Sequence, residues 1–386
     1  MIDMSVRATA QSRRHAAKRE VTRLPALERV GRVRRPSPSR QSTVVDLFCG
    51  AGGLTHGFVL EGIQVSAGVD IDDACRYPYE TNNGAPFVCK DVETLTASQV
   101  RRLFGAGSVR ILVACAPCQP FSTYNQGNED PNWRLLGSLG RLIEEVKPEV
   151  VSIENVPRLV TFREGRVFRG FLASLRRTGY DVSWGVLYGP DFGLAQTRSR
   201  LVLMASRLGP IDLPKPTHRY RHRTVRQEIG GLPVLGHGQV DAIDPLHRAS
   251  RLSETNLRRI TASKPGGTWR DWADDLVASC HKATTGDGYS SVYGRMDWSR
   301  PAPTITTQFY GFGSGRFGHP QQNRALSLRE GALLQGFPKD YAFCEPGKRV
   351  EFTTVGRLIG NAVPVRLSSA IARAVKRHLA QYVDDD

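Results

Sequence analysis

From Thr43 to about residue 206, short apolar runs alternate with amphipathic stretches along the chain. Runs that are apolar at successive positions are typical of strands buried on both faces of a sheet, whereas apolar residues spaced three and four apart are typical of helices. The pattern predicts strands at 43–48, 63–70, 109–116, 149–155, 180–187 and 200–206, and helices at 54–62, 72–82 and 134–146. This alternation indicates an α/β fold built on a doubly wound, mostly parallel sheet.

The pattern changes after residue 206. Residues 207–300 contain scattered Pro, Gly, His and Arg with little regular period, which predicts a second, smaller and irregular domain. Beyond it, in the C-terminal part 301–386, amphipathic stretches at 327–337 and 363–383 predict two further helices.

The first 41 residues differ from both of these regions. Residues 1–41 are rich in Arg and Ser and have little apolar periodicity, so the sequence predicts a basic, disordered arm. Their composition also resembles an organellar transit peptide, which is rich in arginine and poor in acidic residues. Glu20, Glu28 and the missing amphipathic face argue against that alternative.

The charge of the 386-residue chain is uneven. Its 53 basic and 37 acidic residues give a net charge of +16, which is distributed as +8 over 1–43, −2 over 44–199, +6 over 200–300 and +4 over 301–386. A near-neutral core flanked by basic segments indicates a polyanionic partner such as nucleic acid.

Membrane insertion and secretion are not predicted. No apolar run approaches the roughly 18–20 residues that a membrane helix needs, and the N-terminus lacks the apolar core of a signal peptide. The seven cysteines are odd in number, sparse and without framework spacing, which favours a reducing compartment, the cytoplasm.

The first chemical motif is the glycine-rich turn DLFCGAGG at 46–53, between a predicted strand and a predicted helix. Glycines there let the backbone approach a ligand closely, while the start of the helix offers unpaired N–H groups. Asp70 ends the next strand, where its carboxylate can accept both hydroxyls of a ribose. Asp91, in KDV at 90–92, follows a further short strand between 70 and 109, where it can bind an adenine amino group. The turn therefore predicts a nucleoside-containing cofactor, and NAD, FAD and S-adenosylmethionine all fit.

The second motif is APCQPFS at 116–122, just past the carboxyl end of a strongly apolar strand, where open α/β sheets place their chemistry. Cys118 has two interpretations. With Cys115 it forms a C-x-x-C pair, typical of redox dithiols; alone it is a thiolate nucleophile on a loop. The alternation of the strand predicts that Cys115 is buried, which favours the nucleophile. No second C-x-x-C or suitably spaced His pair supports a metal site.

Two further motifs lie at strand ends. Glu154 ends the strand at 149–155, so its carboxylate is expected to face the same crevice as Cys118 and to donate a proton there. In QTRSR at 196–200, the alternate residues Gln196, Arg198 and Arg200 share one face of a predicted strand. Three polar residues on one face predict that this face lines a polar crevice or binds an anion.

Taken in order, these motifs resemble the DNA (cytosine-5) methyltransferase family of the bacterial restriction-modification type. The resemblance covers residues 43 to about 383. It rests on DLFCGAGG (46–53), PCQ (117–119), ENV (154–156), QTRSR (196–200), RPAPTIT (300–306), REGALLQGFP (329–338) and GNAV (360–363).

The resemblance implies an S-adenosylmethionine-dependent, Rossmann-like catalytic domain at 42–206, to which 301–386 returns. It implies that Cys118 attacks C6 of a flipped-out cytosine, that Glu154 holds and protonates N3, and that Arg200, supported by Arg198, contacts O2. The cofactor-binding positions that it implies are Phe48, Gly50, Gly52, Asp70, Ile71, Asp91, Asn361 and Val363. Ile71 replaces the Trp of some relatives, and Ala116 replaces their Phe or Gly; neither change removes a reacting group.

The resemblance also implies the partners. It places a target-recognition region between Arg200 and Pro303, whose segments 219–223, with three arginines, and 289–295, ending in Arg295, suit groove and phosphate contacts. Double-stranded DNA is the implied substrate, and RNA is the alternative. A monomer in the bacterial cytoplasm, bound to the nucleoid through DNA, is expected to share its site with a restriction endonuclease without a stable complex.

Overall fold

The structure, a computed structural model, describes residues 42–105, 109–117, 134–282 and 292–381. The predicted arm at 1–41, Cys118 and Tyr289 lie outside these ranges. Within them, no helix is both long and apolar enough to cross a membrane.

A seven-stranded sheet forms the centre of the molecule, in the order β3-β2-β1-β4-β5-β7-β6. Six of these strands run in one direction, and β7, which lies between β5 and β6, runs in the opposite direction. The strands are β1 Ser42–Leu47, β2 Gln64–Asp70, β3 Phe87–Cys89, β4 Val109–Ala114, β5 Val150–Asn155, β6 Asp181–Tyr188 and β7 Ser199–Ser206. The predicted doubly wound, mostly parallel α/β fold is confirmed.

Helices cover both faces of this sheet. The α-helices of the described ranges are α1 Gly53–Leu60, α2 Arg76–Asn83, α3 Ala97–Phe104, α4 Leu135–Val146, α5 Arg166–Arg177, α6 Val225–Ile229, α7 Glu254–Ala262, α8 Ser279–Lys282, α9 Leu328–Leu334, α10 Phe352–Asn361 and α11 Val365–Ala380. Residues of α1, α2 and α11 form the apolar core on one face, and residues of α3, α4 and α5 form the core on the other.

Burial on two faces explains why the strand sequences are continuously apolar. In β4, Ile111 and Val113 belong to one core cluster, whereas Leu112 and Ala114 belong to the other. Successive side chains of a strand point to opposite faces, so a strand covered by helices on both sides has no solvent-facing position to fill with a polar residue.

The reversed strand β7 departs from simple strand–helix alternation. Only residues 189–198 separate β6 from β7, and they contain a single 3₁₀ turn at Gly189–Phe192. A parallel crossover needs a dozen or more residues, so a connection of this length returns the chain antiparallel.

The C-terminal helix α11 packs on the face of the sheet that α1 and α2 cover. It packs against α1, where a Cβ on Gly57 would lie only 2.2 Å from Oγ of Ser368. At the other end of the helix, Nε2 of His378 lies 2.7 Å from Oγ of Ser206 in β7. Burial lowers the pKa of His378 to about 4, so the imidazole in this contact is neutral at pH 7.

Residues 207–300 divide between two clusters. Their Ile211, Val225 and Leu246 belong to the large core beside α11. A smaller apolar cluster gathers around Trp269 and Trp272 and also takes up residues beyond 300; its members are Leu252, Ile260, Trp269, Trp272, Leu276, Phe312 and Ala325. The domain boundaries at 206 and 300 stay a prediction.

Candidate active site

The turn between β1 and α1 has a left-handed backbone at three positions, as in tight turns that approach a ligand closely. Phe48, Gly50 and Gly52 have φ angles of +58°, +51° and +88°, and for a residue as bulky as Phe48 this left-handed conformation is uncommon. A Cβ on Gly52 would lie 2.4 Å from Nδ2 of Asn83, so only glycine fits there. Around Gly50 a Cβ would meet no atom within 4 Å, which means that the turn opens to solvent at this point.

Carboxylates lie at the carboxyl ends of β2 and β3, at the same edge of the sheet. Asp70 Oδ2 accepts a hydrogen bond from Gly50 N at 2.9 Å, and its Oδ1 accepts one from Asp72 N at 3.0 Å. Burial raises the pKa of Asp70 above its ordinary value. Ile71 next to it is 67% exposed, unusually open for an isoleucine. Asp91 is half-buried, and its Oδ1 accepts from Glu93 N at 2.9 Å.

These residues together fit a nucleoside. The open glycine turn, the exposed apolar side chain of Ile71 and the carboxylates of Asp70 and Asp91 supply a flat apolar contact and acceptors for hydroxyl and amino groups. The C-terminal motif closes against the turn, because a Cβ on Gly53 would lie 2.4 Å from the carbonyl oxygen of Val363. Asn361, the last residue of α10, is exposed beside it.

A buried carboxyl lies beneath this turn. Asp46 is fully buried, and its Oδ2 accepts a hydrogen bond from Oγ1 of Thr55 at 2.6 Å. Its Oδ1 has no hydrogen-bond partner among the described residues. Burial, together with the nearby charge of Asp70, raises the pKa of Asp46 to about 7. Ionisation of Asp46 therefore costs stability in the folded protein.

This predicts a pH dependence that Asp46→Asn removes. Between about pH 4 and 7 the unfolded chain has lost the Asp46 proton while the folded chain retains it, so the free energy of unfolding falls as the pH rises. Relative to Asp46→Asn, we expect wild type to lose on the order of a few kcal/mol across that window and to change no further above it. Urea unfolding of both proteins at pH 5, 6, 7 and 8 measures the difference. Parallel curves would contradict the assignment.

Glu154 is the penultimate residue of β5, and almost none of its side chain is exposed. Its Oε2 accepts a hydrogen bond from Sγ of Cys115 at 3.0 Å. Nε of Arg200, at the start of β7, lies 2.9 Å from Oε1, which makes an ion pair. The N–H is not aligned on that oxygen, so Oε1 accepts no hydrogen bond among the described residues. A buried carboxylate oxygen that is paired with a charge but still has a free acceptor position is suited to a polar ligand.

The position of Cys115 differs from the prediction. The strand β4 ends at Ala114, so Cys115 follows the strand instead of lying inside it, and it is half-buried. The next residue is held by Asn155, whose Nδ2 donates to the carbonyl oxygen of Ala116 at 3.0 Å. The end of β5 thus fixes the backbone that leads into Cys118, which itself lies outside the described residues. Sequence reasoning missed this role of Asn155; a second polar residue directly after Glu154, at the end of a buried strand, is the signal for it.

The shared polar face predicted for Gln196, Arg198 and Arg200 is wrong in part. The strand β7 begins only at Ser199, and of the three residues Arg200 alone contacts Glu154. Arg198 is buried and donates to the carbonyl oxygens of Ile305 at 2.9 Å and Gly360 at 3.3 Å. These bonds connect the residue before β7 to two segments of the C-terminal part of the chain.

Gln196 has a similar bridging role. It is fully buried; its Nε2 donates to Oε1 of Gln335 at 2.7 Å, and its Oε1 accepts from Ile305 N at 2.8 Å. Gln335 in turn donates to the carbonyl oxygen of Ala362 at 2.6 Å. Buried side-chain amides therefore join four motifs that are far apart in the sequence.

The sequence profile of the C-5 cytosine-specific DNA methylase family matches residues 42–377. The chain belongs to this family. The methylase is 50% identical over 338 residues to the type II methylase M.HgiDII of Herpetosiphon aurantiacus, an alignment that covers 87% of this chain and 95% of that one. It is 32% identical to the type II methyltransferase M1.HphI of Haemophilus parahaemolyticus, over 86% of each chain.

The fold of this methylase is also shared with solved structures. A DNA modification methyltransferase encoded within an E. coli prophage superposes with a TM-score of 0.70 at 20% identity, over 88% of this chain and all of the other. The Dnmt2 methyltransferase of S. pombe superposes with a TM-score of 0.57 at 17% identity, over 88% of this chain and 99% of the other. At these identities the likeness concerns the fold.

The hydrogen bond from Cys115 to Glu154 leads to a prediction for the methylase. Cys115→Ser keeps a donor at this position and should retain activity, whereas Cys115→Ala leaves Oε2 without its donor and should lower the methylation rate roughly two- to tenfold. Single-turnover rates of the two variants measure the effect. Wild-type rates in Cys115→Ala would show that the bond does not position Glu154. Loss of activity in Cys115→Ser, with folding and cofactor affinity intact, would favour the dithiol interpretation of Cys115 and Cys118.

Proposed function

We propose that this methylase transfers a methyl group from S-adenosylmethionine to C5 of a cytosine flipped out of double-stranded DNA, through a covalent bond between Cys118 and C6. The observation that carries the proposal is Glu154. Its buried carboxylate lies at the carboxyl edge of the sheet, keeps a free acceptor position, and is flanked by Arg200 and by the segment that leads into Cys118.

The residues divide the work of the reaction. The thiolate of Cys118 forms a bond to C6, and the electron pair displaced into the ring is neutralised as the carboxyl group of Glu154, in its protonated form, gives a proton to N3. C5 is now nucleophilic and takes the methyl group. A base then removes the proton from C5, and the bond between C6 and the sulfur of Cys118 breaks. N3 returns its proton to Glu154, so the neutral aromatic base, the carboxyl group and the thiolate are all restored. Flipping costs a few kcal/mol of unpairing and unstacking.

Arg200 would hold the flipped base next to Glu154, through a second atom of the ring. Its guanidinium is mostly buried and directed at Glu154, so a cytosine that binds the carboxyl group through N3 can offer its O2 to Arg200. Arg198 supports this arrangement through its bonds to Ile305 and Gly360.

The cofactor, when bound, supplies the methyl group as an electrophile. The residues that would hold it are those of the glycine turn and the adjoining strand ends. Asp70 would accept the ribose hydroxyls, Asp91 the adenine amino group, and Phe48 and Ile71 would contact the adenine ring. Gly50, Gly52, Asn361 and Val363 would form the backbone around it.

Duplex DNA is the substrate that the observations favour over RNA. The segment 200–300 carries a charge of +6, and two relatives at 50% and 32% identity are named type II methylases. Transfer of tritium from labelled S-adenosylmethionine into DNA and into RNA, side by side, tests the proposal. Label in DNA that bisulfite sequencing maps to cytosines of one sequence supports it. Label in RNA alone, or in neither polymer, overturns it.

The same relatives support a place in a type II restriction–modification system. We infer that the enzyme acts as a monomer on the site of a separate endonuclease, with which it forms no stable complex. Sedimentation of the purified protein, with and without duplex, measures its oligomeric state.

A further inference from the structure

An exposed arginine–tyrosine turn projects from the segment that follows β7. The backbone N–H of Arg221 donates to the carbonyl oxygen of His218 at 3.1 Å, so Arg219 and Tyr220 occupy the centre of a tight turn. Tyr220 is 96% exposed, and both arginines are exposed as well. A tyrosine presented to solvent in this way buries no apolar area in the folded chain, so packing does not account for it.

A single buried residue holds both ends of this turn. The carbonyl oxygen of Asp191 accepts from the N–H groups of Thr217 at 2.9 Å and His218 at 2.8 Å. The carboxylate of Asp191 lies 3.0 Å from Nε2 of His222. Asp191 is only 5% exposed, so the anchor is part of the protein interior. The turn is therefore presented on a fixed base, and little backbone entropy remains to be lost on binding.

The two arginines of the turn, Arg219 and Arg221, differ from the nearby Arg223 because they form no ion pair with a carboxylate of the described ranges. Arg223, two residues further on, forms an ion pair with Glu228, which also lies 3.3 Å from Arg366. No carboxylate of the described ranges pairs with the side chain of Arg219 or Arg221. Their charges face solvent, where a polyanion can reach them.

The anchor also fixes where the turn lies. Asp191 follows the end of β6 by three residues, and Tyr188, the last residue of β6, pairs with Ser199. The residue after Ser199 is Arg200, which contacts Glu154. The turn thus rises from the same edge of the sheet as the candidate active site, beside β6.

We propose that Arg219, Tyr220 and Arg221 contact the sugar–phosphate backbone of the duplex beside the target cytosine. The inference rests on the proposed function, which identifies the substrate as duplex DNA. It adds the protein surface that contacts this duplex. The two guanidinium groups would bind phosphates, and the tyrosine hydroxyl would donate to a third. Such contacts set the position of the duplex without reading its sequence.

The test compares two double variants with the same loss of charge. Arg219→Ala/Arg221→Ala removes the charges of the turn. Arg101→Ala/Arg102→Ala removes two exposed charges from the end of α3, which leads into the amino end of β4, the opposite edge of the sheet. Dissociation constants for one duplex are measured across a range of salt concentrations, and melting temperatures confirm that both variants fold.

Each phosphate contact contributes about 0.9 to the slope of log K against log salt, so the slope of the turn variant should fall by nearly 2, and this variant should bind at least about tenfold more weakly. The control should keep the wild-type slope to within a few tenths. Equal slopes in the two variants would overturn the proposal.

Ethylation interference locates the phosphates on which binding depends. The phosphates that matter for wild type but no longer matter for the turn variant should flank the methylated cytosine. A change confined to phosphates remote from that cytosine would also overturn the proposal. If wild type binds DNA but transfers no methyl group to it, the proposed function fails while the slopes still decide the role of the turn.

Discussion

Replacement of Cys118 by serine should abolish methyl transfer and, with it, the covalent capture of DNA. A duplex that carries 5-fluorocytosine at the target position should form an adduct with the wild-type enzyme that resists denaturation. The reason is that fluorine replaces the hydrogen that a base must remove from C5. Without that loss, the bond between C6 and sulfur cannot break once the methyl group is in place. Electrophoresis under denaturing conditions detects the adduct as a shifted band.

The matched control for this experiment is the other cysteine of the motif. Cys115→Ser retains a hydrogen-bond donor to Glu154 and leaves Cys118 untouched, so it should still form the adduct. An adduct in Cys118→Ser, or none in wild type under conditions that support methylation of unmodified DNA, would exclude Cys118 as the nucleophile.

Glu154→Gln separates the charge of this residue from its shape. Glutamine is nearly isosteric, its amide oxygen can accept the hydrogen bond from Cys115, and its amide group can still contact the base. It cannot give a proton to N3, so the charge that develops in the ring when the thiolate adds has no outlet. General acid catalysis typically contributes about 10²–10⁴ in rate, and we expect a loss in that range while DNA affinity and base flipping stay close to wild type.

The residue just before β5 offers a control. Glu149 precedes β5 at the opposite edge of the sheet and forms an ion pair with Arg110 at 2.7 Å. Glu149→Gln therefore removes a carboxylate charge and an ion pair without touching the site. Single-turnover methylation rates and dissociation constants on one duplex are compared for both variants. A rate for Glu154→Gln within a few-fold of wild type, or an equal loss in Glu149→Gln, would mean that Glu154 acts only through structure.

Much of the framework could be predicted because it depends on local periodicity. The apolar runs that become β1, β2, β4 and β5 lie within one or two residues of their predicted bounds, since strands buried on both faces leave an unambiguous pattern. The position of Glu154 at a strand end follows from the same pattern. The helices α3, α5 and α10 were not predicted, nor were α6, α7 and α8 within 207–300, although Thr96 and Gln99 form a capping box that marks the start of α3.

The sequence by itself determined the α/β class, the order of the motifs and the chemistry that their residues carry, because these depend on residue types and short spacings. Only the tertiary structure decided the direction of β7, the contact between Cys115 and Glu154, and the bonds of Arg198 to the C-terminal part. Cys115 and Glu154 are 39 residues apart and Arg198 and Ile305 are 107 apart, so no local pattern encodes either pair. Such contacts exist because packing the helices onto both faces of the sheet brings strand ends and returning segments to one edge, where buried polar groups must find partners or await a substrate.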